Sequence, residues 1–343
     1  MTEATRPTER FFYGWVIVLV GGVLTFLGTG FYSYSRGVFL PSLAEELAGG
    51  SRFEIAMGFS IAAVTSALAA PFIGGILDKY SPKTVILTGI GFVTGSYLLL
   101  SFCQNLIQFY LIVGLGMGLG MTCMGNLAWH RTIISWFDHW RGRAISLGVL
   151  GASLAGVVMP PLVTSLVEAI GWRYAFVVFA VIVPSILVPL VVYFLKNRPE
   201  EIGEVRDGHA YSTAHKTEEV EDEVESRIWH WKEMVRFPAF WSIGLMFGAM
   251  GCVYSAVMLH LFGHLRDIGL PGTEAAYILS ATALFAALGK PVVGWMSDFF
   301  GARVTIWMAL LFQAASLVLL AFASDFSTSL LAGVVYGFGL SGM

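Results

Sequence analysis

A lysine at position 290 and an arginine at position 131 stand inside long apolar runs. A charge in hydrocarbon costs roughly 2.5–3.5 kcal/mol on insertion scales unless it is paired or hydrated, so each is a candidate for function. Lys290 lies about five residues past the centre of its run, roughly 7 Å at 1.5 Å per residue, too deep for its stem to carry the charge out. A substrate or coupling role is one reading of such a charge; the bland alternative is a structural buried charge. Arg131 lies nearer the end of its run, beside Trp129 and His130, where snorkelling or an ion pair in an inner gate accounts for it. His260 is near the outer end of another run, and an ordinary histidine titrates near neutral pH, so a proton or substrate role is open beside a packing one. Arg36 ends the first run and reads as a charge in an outer funnel. Tyr32, Tyr34 and Asn126 are candidate cavity residues, although helical tyrosines more often pack.

These side chains are unusual only because of where they sit. The 343 residues are 56% apolar and 13% charged, with a mean hydropathy of +0.74. A soluble domain carries about 25% charged residues, so the composition points to an all-α membrane protein. Apolar runs fall near 13–35, 55–77, 84–102, 107–130, 144–167, 174–195, 239–262, 274–297 and 304–323, and a tenth starts near 328. A spanning helix needs about 20 such residues, whereas barrel strands alternate over about ten. The polar first ten residues and the long run after them do not fit a cleaved signal.

Other functions find no foothold. A net charge of −3 without a basic stripe argues against nucleic acid. Cys103, Cys123 and Cys252 lack ligand spacing and read as small hydrophobes, so neither metal nor cofactor is expected. No nucleophile–base pair or phosphate loop supports an enzyme, and Gly114-Leu115-Gly116 lies inside an apolar run as helix packing. The Lys/Arg bias of the loops puts the N-terminus and the long central loop in the cytoplasm, by 7 to 4 even with that loop discounted. Trp15, Trp136, Trp140, Trp172, Trp241, Trp295 and Trp307 lie near span ends, as an aromatic belt requires.

The chain divides into a tail (1–12), a six-span half (13–195), an acidic linker (196–236) and a second half (237–343). The linker holds 18 of the 43 charged residues and reads as a solvated spacer, with a surface-lying amphipathic piece near Ile228–Arg236. The halves echo each other. Gly74, Asp78, Lys79 and Lys83 are matched by Gly294, Asp298, Gly301 and Arg303, with the glycines and the aspartates each at an offset of 220. Gly114, Gly118 and Gly120 recur as Gly333, Gly337 and Gly339 at an offset of 219.

Two such halves on a long inner loop resemble the major facilitator superfamily of secondary transporters. Its loop motif, Gly-x-x-x-Asp-Lys/Arg-x-Gly-x-Lys/Arg, appears twice, with Ser81 for the second Gly in one copy and Phe299 for a base in the other. The resemblance implies a reversible latch, in which Gly74 and Gly294 allow close helix approach. Asp298 would face the start of the fifth span at Arg141-Gly142-Arg143, and Asp78 the start of an eleventh span. Phe11 to Trp15, Trp136 to Ala144 with Gly148, Gly151 and Gly156, and Gly171-Trp172-Arg173 look like the bacterial monocarboxylate-transporter and oxalate/formate-antiporter group. In that group an Arg at the place of Lys290 pairs with the substrate carboxylate, and animal members carry a Lys within a few residues of Arg36, out of strict register.

The resemblance thus implies a monomeric carrier in the cytoplasmic membrane. It moves a small organic anion by alternating access, balanced by a proton or a counter-anion. A carrier of a drug, sugar or amino acid, or a non-transporting sensor, are the alternatives. Carrying the same offset forward from the first half's end near Leu195 predicts that the second half ends near position 415, with spans eleven and twelve lying beyond Met343.

Overall fold

The structure is a computed structural model that describes residues 12–207, 233 and 235–341; within this range the side chains of 243, 291, 294, 295, 297, 298 and 302 are also outside the description. The regular structure of the described residues is helical. The helices are α1 (Gly14–Leu47), α2 (Arg52–Lys79), α3 (Pro82–Ser101) and α4 (Leu106–Trp136), followed by a run of 54 residues, Arg141–Phe194. Gly171 breaks that run with φ +77°, a conformation open to glycine and costly to other residues, so α5 is 141–170 and α6 is 172–194. Then come α7 (Pro238–Asp267), α8 (Gly272–Phe300), α9 (Ala302–Phe322) and α10 (Phe326–Leu340). Gly301, φ +79°, makes the turn between α8 and α9. Each apolar run of the sequence has become one helix.

Two boundaries differ from expectation. The first helix does not stop at 35. It passes through a π-helical turn, Gly30–Tyr34, and continues to Leu47 with Arg36 buried inside it. Helix α4 is interrupted at Gly125, whose extended backbone (ψ −165°) separates Gly118–Met124 from Asn126–Trp136.

The internal echo is visible as packing. On α4, Gly114 and Gly118 lie against α2 and Gly120 against α3; a Cβ on Gly118 would stand 2.9 Å from the Ala62 carbonyl oxygen. On α10, Gly333 and Gly337 lie against α8 at Thr282, and Gly339 against α9 at Gln313. Ala62 and Thr282 are themselves related by the offset of the two aspartates. Small residues let these backbones touch where lipid offers no hydrophobic drive to hold them together.

The end of the bundle that carries the N-terminal residues is called inner here, after the loop charges. At that end the first dozen linker residues form a strap, tied to the bundle by hydrogen bonds. Trp136 Nε1 donates to the Lys196 carbonyl (3.0 Å) and Ser135 Oγ to that of Asn197 (2.6 Å). Asn197 Oδ1 accepts from Lys83 N–H (3.1 Å) and Glu204 from Tyr13 N–H (3.1 Å). Asp207 accepts from the N–H groups of Asp138, His139 and Trp140 at 2.6–3.2 Å, just ahead of α5. Trp136 is fully buried against Phe12 and Tyr13 and Trp172 is buried too, so neither joins an aromatic belt; Trp140, Trp241 and Trp307 are exposed. The tail to residue 11, the acid run Glu218–Glu223 and most of the amphipathic piece lie outside the described residues. At the outer end Glu46 accepts from Trp172 Nε1 (2.6 Å) and Arg173 Nη2 (2.6 Å), while Arg173 Nη1 donates to the Cys103 carbonyl (2.7 Å).

Candidate functional site

The wall between the helices of the two halves gathers the polar groups that an apolar bundle should not contain. On one side of it α5 meets α8. Lys290 Nζ donates to Ser153 Oγ at 3.2 Å. Lys290 is about 15 Å from the inner end of α8 and Ser153 about 18 Å from that of α5, which puts the pair near the middle of a bilayer. Three residues along α5, Gly156 is wedged between Ala283 and the ring of Tyr34. Lys290 and Tyr34 therefore lie along one face of α5.

On the other side α1 meets α7. A Cβ on Gly37 would stand 2.8 Å from the Met258 carbonyl oxygen. Tyr34 and Tyr254 are near neighbours across this contact, and Tyr336 is fully buried on α10 with its own hydroxyl unpartnered. Arg36 Nη2 donates to the carbonyl (3.1 Å) and hydroxyl (3.0 Å) of Ser255.

The ion pairs among the described residues are Arg52–Asp267, Arg131–Asp78 and Arg173–Glu46. Neither Lys290 nor Arg36 has an acidic partner in that set. Arg36 is a buried base: it is 8% exposed, because α1 carries it past the expected helix end into contact with α7.

The other candidates scatter. His260 is exposed, with Arg52 and Arg36 as the charges that act on it. Asn126 starts the second segment of α4 and opens onto a groove beside α2, at Ser66 and Ala70. Arg131 pairs with Asp78 at 2.6 Å, so Asp78 has a partner within its own half. Among the described residues a Cβ on Gly74 would meet nothing within 4 Å. Lys83 Nζ ties α3 to the Val192 carbonyl (2.6 Å). Lys79, Arg141, Arg143 and Arg303 are exposed. The N–H groups ahead of Arg141 are taken by Asp207; Gly294 and the Asp298 side chain are outside the description.

Ser153, Tyr254, Ser255, Tyr336 and the cross-wall pair Arg52–Asp267 were not singled out from sequence. One signal was available. Tyr34-Ser35 and Tyr254-Ser255 stand at the same offset as the two aspartates. The repeat places α1 and α7 as equivalents, and the two tyrosines meet where those helices touch.

The sequence matches the Major Facilitator Superfamily over residues 25–343. The chain belongs to that superfamily. This facilitator is 22% identical to the uncharacterized MFS-type transporter YcxA of Bacillus subtilis, over 87% of its own length and 68% of the relative's. It is 25% identical to monocarboxylate transporter 13 of Rattus norvegicus, over 98% and 74%. It is 26% identical to a probable L-galactonate transporter of Escherichia coli, over 75% and 56%. Among solved structures, a bacterial homolog of the human lysosomal transporter Spinster, in an inward-facing and unoccupied conformation, superposes with a TM-score of 0.68 at 15% identity, covering 98% of this chain and 75% of that one. The all-α facilitator fold and a multi-pass membrane setting follow.

Proposed function

We propose that this facilitator is a secondary carrier of small organic anions of the monocarboxylate kind. It works by alternating access between the halves 13–195 and 237–343, which the linker 196–236 joins. Lys290 carries the reading: a half-buried ammonium at mid-membrane, on the wall between the halves, whose one described partner is a neutral hydroxyl. An unpaired charge at that depth is costly, and a ligand carboxylate removes the cost. Arg36 adds positive potential to the same wall, and Tyr34, Tyr254 and Tyr336 supply hydroxyls. The names of the rat and E. coli relatives speak of monocarboxylates and of galactonate, both carboxylate-bearing.

The described cross-wall bonds, Arg36–Ser255, Arg52–Asp267 and Lys290–Ser153, run from the outer end to mid-membrane. That supports assigning this form as open to the inner side, with Asp78, Arg131, Lys79, Arg141, Arg143, Gly301 and Arg303 around its mouth. A co-transported proton or a counter-anion balances the charge, and His260 takes the proton or contacts the substrate. The loop bias supports a cytoplasmic-membrane monomer with its N-terminus inside.

The test is uptake of labelled lactate, pyruvate or oxalate into proteoliposomes after a pH jump. Loss of a charged hydrogen bond of about 2–3 kcal/mol in Lys290→Gln lowers kcat/KM about 30- to 150-fold. Undiminished uptake by that variant removes Lys290 from the site, and uptake of neutral solutes alone replaces the anion reading with that of another facilitator substrate.

A further inference from the structure

We propose that Arg36 anchors a binding site for one monatomic anion of chloride size, inside the first half and separate from Lys290. A cavity of about 20 Å3 lies between α1, α2, α3, α4 and α6, lined by Arg36 with Tyr32, Phe59, Tyr97, Phe109 and Phe176 among others. A single water needs about 10–15 Å3, so the space takes one small ion and no organic anion.

Three features of the lining select an anion. Arg36 is 8% exposed, and its Nε has no hydrogen-bond partner although Nη2 is held by Ser255. Its charge has no carboxylate partner among the described residues. The remaining walls are aromatic, and ring edges carry the positive end of the quadrupole, while the two tyrosines bring hydroxyl donors. A water at this point would satisfy Nε and leave the charge; a halide does both. Occupancy also cancels one positive charge close to the wall between the halves, so affinity for a second anion there falls as the halide binds. The site does not rest on the carboxylate reading of Lys290.

The experiment follows thermal unfolding of the purified protein in detergent, with chloride exchanged for gluconate at constant ionic strength. The expected result is a saturable rise in the midpoint, about 2 °C at ten times the dissociation constant. Bromide substitutes for chloride, and bromide-soaked crystals show an anomalous peak within hydrogen-bond reach of Arg36 Nε. Arg36→Gln abolishes the halide-dependent shift, and Tyr32→Phe or Tyr97→Phe raises the half-saturating concentration several-fold, which keeps the test open where Arg36→Gln does not fold. Lys290→Gln keeps the shift even where it loses uptake. No halide dependence in the unaltered protein, a bromide peak elsewhere, or an undiminished shift in folded Arg36→Gln each overturns the proposal.

Discussion

Breaking the outer clamp between the halves should change which side of the carrier is open. Arg52 at the start of α2 grips Asp267 at the end of α7 through both carboxylate oxygens, with Nη2 to Oδ1 at 2.7 Å. The side chains are 36% and 54% exposed, so water and salt screen the pair. Exposed pairs contribute about 0.2–1 kcal/mol, and the two-pronged geometry puts this one near the top of that range. At about 1 kcal/mol the ratio of outer-closed to outer-open molecules changes about fivefold, since RT is about 0.59 kcal/mol at room temperature. Asp267→Asn is the perturbation. Met258, 1% exposed and packed at Gly37, is the reporter position. Met258→Cys, in a background with the exposed Cys252 changed to Ser, reacts with an impermeant maleimide only when the outer end parts. Asp267→Asn should speed labelling about fivefold, 1 M salt should reproduce most of that gain by screening, and the swap Arg52→Asp with Asp267→Arg should reverse it. Labelling that ignores both the substitution and the swap refutes the clamp.

Two further perturbations follow from the same geometry. Gly37→Val puts a side chain 2.8 Å from the Met258 carbonyl oxygen, holds α1 off α7, and should cut uptake at least about tenfold while raising the same labelling rate; normal uptake contradicts the close approach. Glu46→Gln removes the charged acceptor shared by Trp172 and Arg173, a loss discounted to about 1 kcal/mol for partial exposure, and should lower the unfolding midpoint by about 1.4 °C without altering substrate affinity.

Hydropathy made the number and order of the helices legible, because a stretch of about 20 apolar residues has few ways to be satisfied other than as a membrane helix. The echo between the halves went further than its motifs suggested: it reappears in Gly118 at Ala62 and Gly337 at Thr282, where backbones touch. The depth of Lys290 was legible for the same reason, since helical rise converts directly into distance. Arg36 was misplaced because a charge in an apolar run looks like the end of a span. Only the contact with Ser255 across the wall shows why the helix continues. The strap at 196–207 was hidden in composition: a charged stretch reads as solvated, and nothing in its residue types says that Asp207 and Glu204 take backbone N–H groups from distant segments. The resemblance gave Asp78 a partner in the other half; that Arg131, on a helix of its own half, also reaches it was not legible in the spacing.

The π turn at Gly30–Tyr34 bears on how this family is compared. A π turn holds one residue more than the α turn it replaces, so everything after it is rotated by about 100° relative to an uninterrupted helix. The place where Arg36 meets Ser255 is therefore reached by gaining or losing a single codon upstream as readily as by exchanging an amino acid. Two carriers can present a basic group at the same point in space from positions that no gap-free alignment would pair.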